Sequence, residues 1–79
     1  MKVEIITPEK KLYSGEANLI QVPGTQGSFE ILKNHAPIIS TLQKGQVKII
    51  QHNNQPVLFD IKSGVIEVLK NTVTILALL

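Results

Sequence analysis

The sequence predicts an all-β domain, a small antiparallel sandwich or barrel, and three observations carry that expectation. Apolar residues recur with period two over short runs, the mark of half-buried strands. The apolar set is mostly Ile, Val and Leu, and its β-branched members favour strands. Turn signals recur about every 8–12 residues, the spacing of a sandwich or small barrel. At 79 residues the chain has room for one small domain, residues 1–79.

The elements follow in order. Val3 and Ile5 share one face while Lys2 and Glu4 share the other. Pro8 ends this strand by withdrawing a ladder donor. Glu9–Leu12 could close one helical turn, but no apolar stripe extends it. Ala17–Val22 is the next strand. Pro23-Gly24 reads as a type II turn, with Pro presetting φ and Gly accepting a positive φ. It opens a rigid, glycine-rich loop, Val22 to Pro37, flanked by strand-like sequence. Phe29 stands at a loop-to-strand transition, and Ile31–His35 has room for a short turn. Ile38–Leu42 and Val47–Gln51 are strands. Asn53-Asn54 then supplies the left-handed conformation a tight hairpin needs. Val57–Ile61, Val65–Leu69 and Thr72–Ile75 complete the series, with reversals at Ser63-Gly64 and Lys70-Asn71. Roughly eight strands result, the second half a meander of neighbouring antiparallel hairpins.

Composition narrows the function. Net charge is +2, and all eight positive side chains are Lys, scattered apart from Lys10-Lys11. A nucleic-acid surface clusters its basic residues and uses Arg for bidentate contacts, so the charge reads as a solvated face. There is no Cys, hence no disulfide or thiolate metal site. The start, MKVEIITPEKK, has no apolar segment followed by a small-residue cleavage site. The longest apolar run, Val73–Leu79 with Thr74 inside it, is too short to span a bilayer. Any membrane association is therefore expected only through a partner.

No reactive constellation stands out. His35 and His52 have no ligand-spaced neighbours, so neither a metal nor another cofactor is expected. His52 reads as an exposed hairpin residue. His35, held extended ahead of Pro37, reads as either a packing residue or an interface contact. Asp60 is the single Asp, and no Gly-x-Ser-x-Gly elbow presents a serine. Glu9, Glu16, Glu30 and Glu67 form no paired-carboxylate motif. Gly24–Ser28 is too short for a phosphate loop and lacks its Lys. Phe29 is either a core plug or an apolar contact for another protein. A small oligonucleotide-binding barrel shares the length and strand count, but it needs surface aromatics beside a basic groove. Tyr13, Phe29 and Phe59 are the only aromatics.

VPGTQGSFEILKNHAP resembles the signature of the epsilon subunit of F-type ATP synthases, Pro-Gly-x-x-Gly-x-Phe-Gly-Ile-Leu-x-x-His-Ala-Pro. Glu4–Pro8 with Tyr13–Glu16, Leu42–Val47, Ser63–Val68 and Asn71–Ala77 are similar to further landmarks of that family, in register across the chain. The resemblance implies a β-sandwich of about ten short strands in two sheets. It implies a non-catalytic part of the central stalk, the rotor, bound to the gamma subunit and resting on the c-subunit ring. It also implies a peripheral place on the cytoplasmic face of an energy-transducing membrane, the plasma membrane in a bacterium. By the same resemblance, Gly24, Thr25, Gln26, Gly27, Ser28 and Phe29 are expected to touch the polar loops of the c ring. Thr7, His35 and Ser40 are expected near gamma. Two departures stand out. Glu30 replaces the usual Gly after Phe29. The sequence also stops before the carboxy-terminal helical hairpin of many members, so neither inhibition of ATP hydrolysis nor ATP binding by that hairpin is expected of it.

Overall fold

A computed structural model describes all 79 residues. It contains eight strands and no helix: β1 (Lys2–Ile6), β2 (Lys11–Gly24), β3 (Gly27–Leu32), β4 (Ile38–Leu42), β5 (Gly45–Gln51), β6 (Pro56–Ile61), β7 (Ser63–Leu69) and β8 (Thr72–Leu78). The class is the expected one, with eight strands where the resemblance implies about ten. One reason for the lower count is β2, whose 14 residues serve both layers without interruption. Its first half pairs with β1 from Glu16 to Lys11. Its second half pairs with β5 on one side and β3 on the other. A register shift between Ala17 and Leu19 marks the bend where the strand passes between layers.

One layer is β4-β7-β8-β1 with the start of β2. The other is β3, the end of β2, β5 and β6. Gly24↔Leu42 is the sole β2–β4 pair and joins the layers at one end. Every pairing is antiparallel except β1–β8, which is parallel, an exception to the antiparallel expectation. The second half is not a continuous meander either. β5–β6 and β7–β8 are hairpins, but β6 and β7 do not pair. Lys62 carries the chain across, its amide donating to Leu78 O at 2.7 Å. Ser63-Gly64 lies inside β7 rather than forming a reversal. Sequence periodicity reports which face a residue takes, not which strand lies beside it.

Three local expectations change. Pro23-Gly24 is not a turn but the end of β2, opposite Ser28 and Gly27. Pairing with β5 has stopped by then at Gln21, so the proline interrupts no ladder on that side. The reversal falls on Thr25-Gln26, which keep negative φ, while Gly27 takes φ +126°. Most of the expected glycine-rich loop is thus the β2–β3 hairpin. Glu9–Leu12 is not helical, since Lys11 and Leu12 open β2. Thr7 closes this turn instead: its amide donates to Lys10 O at 2.8 Å, and its Oγ1 accepts from the Lys10 amide at 3.2 Å. The remaining turns follow their residues. Lys70 and Asn71 sit at φ 50° and 58°, the mirror-image turn of a tight hairpin, and Asn54 is at 67°.

The core is a cluster of 16 buried residues, Met1 and members of all eight strands. Its largest fully buried side chains are all Ile or Val, including Ile5, Ile20, Ile31, Ile49, Ile66 and Ile75. Branching at Cβ fixes χ1, so this core loses little rotamer freedom on folding and resists repacking. Burying each such side chain contributes about 1.5–3 kcal/mol.

On the outer side of β1, Lys11 Nζ donates to Glu4 Oε2 at 2.8 Å. That hydrogen bond lowers the Glu4 carboxyl from its ordinary value; desolvation opposes the shift, and the charges of Lys11 and Lys2 add to it. The folded carboxylate therefore releases its proton more readily than the unfolded one. Its contribution to stability is present above the ordinary carboxylate range and disappears as pH falls through the lowered folded value. In an NMR titration, Lys11→Met should move Glu4 back toward its ordinary value; an unmoved titration would rule out this origin.

Candidate functional site

The most shaped part of the surface is the β2–β3 hairpin tip. Gly24 is buried, while Thr25, Gln26, Gly27 and Ser28 are exposed. Phe29 is half-buried and packs against the core. Two glycines make the corner possible for different reasons. A Cβ on Gly24 would lie 2.6 Å from both the Gly27 carbonyl oxygen and the Phe29 ring, so close approach requires glycine there. Gly27 has open space around it, and its positive φ is what requires glycine. Gln21 Nε2 donates to Ser28 Oγ at 3.2 Å and braces the ribbon. Glu30 lies in β3 opposite Gln21 with an ordinary backbone, so the departure from Gly at this position costs no strain.

The tip is tied to the other layer. The Thr25 amide donates to Thr41 O at 3.1 Å, and the Gln43 amide donates to Pro23 O at 2.8 Å. The Thr25 and Thr41 hydroxyls are 2.9 Å apart, and Gln43 Nε2 donates to Gly24 O at 3.2 Å. Sequence reading missed Thr41 and Gln43. Both are exposed polar residues whose role comes from contacts remote in the chain.

A second feature is an apolar patch at one end of the outer face of the β4-β7-β8-β1 layer, next to a row that carries Glu4, Thr74 and Glu67. Ile6, Leu76, Val65 and Thr41 are opposite one another across four strands and share that face. Leu76 is 54% exposed, Leu78 53% and Ile39 75%. Leu76 and Leu78, together with Thr7, Pro8 and Ser63, line an open groove of about 610 Å³. The sequence does signal this face. Alternation breaks at Ile75-Leu76-Ala77-Leu78, where both sides of β8 are apolar.

The residues expected near gamma are spread along this layer. Thr7 is 7% exposed and lines the groove at the end of β1. Ser40 is half-buried in β4 and shares the inward side with Ile38 and Leu42. Apart from Leu42, β4 pairs on one side only, leaving the main-chain edge beside Ser40 open. His35 precedes the opposite end of β4. Its amide donates to Leu32 O at 3.2 Å, and its Nδ1 lies 2.7 Å from Ala36 O, an acceptor, so Nδ1 carries the proton. The Asn34 amide donates to Asn71 Oδ1 at 2.8 Å, which pins this loop to the β7–β8 turn. Thr7 and His35 thus stand at opposite ends of the layer, with Ser40 between them, and do not form one cluster.

The other candidates are dispersed. No three His, Asp or Glu side chains converge on a common point. Asp60 is exposed on β6 opposite Gln46. Tyr13 and Phe59 meet edge to face at 5.5 Å between centroids, and both pack against the core with Phe29. All three rings are therefore engaged in packing, which removes the stacking platform an oligonucleotide-binding surface uses.

Adding a methyl group at position 24 tests the hairpin corner. Gly24→Ala should destabilise the fold by about 1–3 kcal/mol in urea denaturation. A loss below about 0.5 kcal/mol, the range of ordinary surface changes, would show that the corner reshapes freely.

Comparison with known proteins places the molecule. The family model of the ATP synthase delta/epsilon chain β-sandwich domain matches residues 1–78. The ATP synthase epsilon chain of Leptospira interrogans is 42% identical over 76 residues, covering 96% of this chain and 59% of that protein. That of Caulobacter vibrioides is 41% identical over 73 residues, covering 92% and 84%. This chain thus spans about three-fifths of the Leptospira relative and most of the Caulobacter one. Among solved structures, a chain of the Tetrahymena thermophila mitochondrial ATP synthase central stalk and c ring aligns at TM-score 0.80 and 24% identity, covering 99% of this chain and 63% of that one. A chain of the Euglena gracilis mitochondrial ATP synthase OSCP/F1/c-ring structure aligns at 0.86 and 15%, covering 98% and 49%. These two likenesses show the fold.

Proposed function

The chain belongs to the β-sandwich family of ATP synthase delta and epsilon chains, and on that premise we propose that it is a non-catalytic rotor element of an F-type ATP synthase. It joins the gamma subunit to the c-subunit ring and turns with both. It reaches the cytoplasmic face of the membrane, the plasma membrane in a bacterium, through the complex rather than by inserting itself. The observation that carries this reading is the tethered hairpin. Thr25, Gln26 and Ser28 are exposed on a corner that both layers hold in place. Such a corner transmits a lateral load without bending, because the close-packed core behind it does not deform.

The Gly24–Phe29 hairpin seats against the polar loops of the c ring, where small side chains allow close approach. Gamma lies along the outer face of β4-β7-β8-β1, over its apolar end. Thr7 lines the groove at one end of that face, Ser40 borders the open edge of β4, and His35 stands at the far end. The face suits a protein partner because its exposed Ile39, Val65, Leu76 and Leu78 regain burial on docking.

Two experiments on the assembled complex test these contacts. Ser28→Cys, paired with cysteines along the c-subunit loop, should form disulfide cross-links under mild oxidation; failure across several loop positions would remove the hairpin from that interface. Leu76→Asp should weaken gamma binding tenfold or more, about 1.4 kcal/mol, while circular dichroism stays unchanged. Unchanged affinity in Leu76→Asp, with His35→Glu equally silent, would move the gamma contact off this layer.

A further inference from the structure

Resting on the reading that the hairpin tip seats on the ring, we propose that Thr41 and Gln43 are positioning residues that set the angle and stiffness of that tip. Pairing of β2 with β5 ends at Gln21, so Val22–Gly24 and their partners continue as a two-stranded ribbon. A two-stranded ribbon on its own is marginally stable in water. The end of β4 supplies what the ribbon lacks. The Thr41 carbonyl takes the Thr25 amide at 3.1 Å, and the Gln43 amide reaches Pro23 O at 2.8 Å. The two side chains add the Thr25–Thr41 hydroxyl pair at 2.9 Å and the bond from Gln43 Nε2 to Gly24 O at 3.2 Å. Gly45 lets the following turn close on the ribbon, since a Cβ there would stand 2.8 Å from Pro23 Cβ. The clamp therefore holds the main chain on both sides of Gly24 and leaves the Gln26 and Ser28 side chains exposed at the tip.

Thr41 and Gln43 are both exposed, so their side chains act through these bonds rather than through the core. Substitution also divides cleanly. Thr41→Val and Gln43→Glu keep the main-chain bonds and near-native shape while removing one hydroxyl and one amide donor. The carboxylate that replaces the Gln43 amide in the second variant cannot donate to Gly24 O.

The experiment is amide hydrogen exchange on the Thr41→Val/Gln43→Glu chain, read with the Ser28→Cys cross-link in the assembled complex. Exchange at the amides of residues 25 and 43 should accelerate tenfold or more, with Ile66 and Ile75 unchanged. Thr41→Ser with native Gln43 should restore slow exchange. In the complex, cross-linking from position 28 should spread from one preferred ring position to several. Unchanged exchange at positions 25 and 43 would overturn the clamp, as would faster exchange with an unaltered cross-linking pattern. If unsubstituted Thr41 and Gln43 also give no cross-link, the ring-contact reading fails while the exchange result still judges the clamp.

Discussion

The architecture depends on β2 remaining one strand through two layers. Fourteen residues pair first with β1 and then with β3 and β5. Because one strand carries ladders of both sheets on either side of the bend at Ala17–Leu19, the two sheets are not held by side-chain packing alone. Shearing one sheet over the other would have to break main-chain ladders as well as disturb the core. The Gly24↔Leu42 pair closes the same connection at the far end of β2. A sandwich joined at the middle and at the end of its longest strand is suited to carrying load between faces.

The two candidate surfaces follow from this arrangement and differ in kind. The hairpin tip is polar, small and braced by hydrogen bonds, which favours close approach with little apolar burial. The outer face of β4-β7-β8-β1 is apolar around Leu76, Leu78 and Val65, which favours docking driven by burial. Both lie near Thr41, whose hydroxyl reaches Thr25 and whose side chain borders the groove. A partner on one surface and a partner on the other would therefore press on the same few residues at the end of β4.

Much of the fold was legible because strand positions are a local property. Val3/Ile5, Val47/Ile49 and Val73/Ile75 alternate visibly, and all are buried. Asn71 and Asn54 announce their turns through the left-handed preference that the structure displays. What sequence could not supply was neighbourhood. Pro23-Gly24 carries a strong turn signal, yet the reversal falls on Thr25-Gln26 with the positive φ on Gly27, while Gly24 sits where the Phe29 ring and the Gly27 carbonyl converge. The change of layer at Lys62 and the parallel β1–β8 ladder leave no mark in periodicity. The glycine-rich segment was visible as the first surface to inspect, but the residues that hold it were not, because Thr41 and Gln43 meet it only after folding. The apolar face was half legible. The run ending in Leu76-Ala77-Leu78 shows two apolar sides, without saying which side the core would claim.

The parallel β1–β8 ladder has a consequence for biosynthesis. Strands from opposite ends of the sequence are hydrogen-bonded neighbours, Val3 beside Val73 and Ile5 beside Ile75. A nascent chain emerging from the ribosome therefore has no mate for that side of β1 until β8 has been translated. Its first apolar strand stays open to wrong neighbours during that interval, and closure comes as a late, collective event.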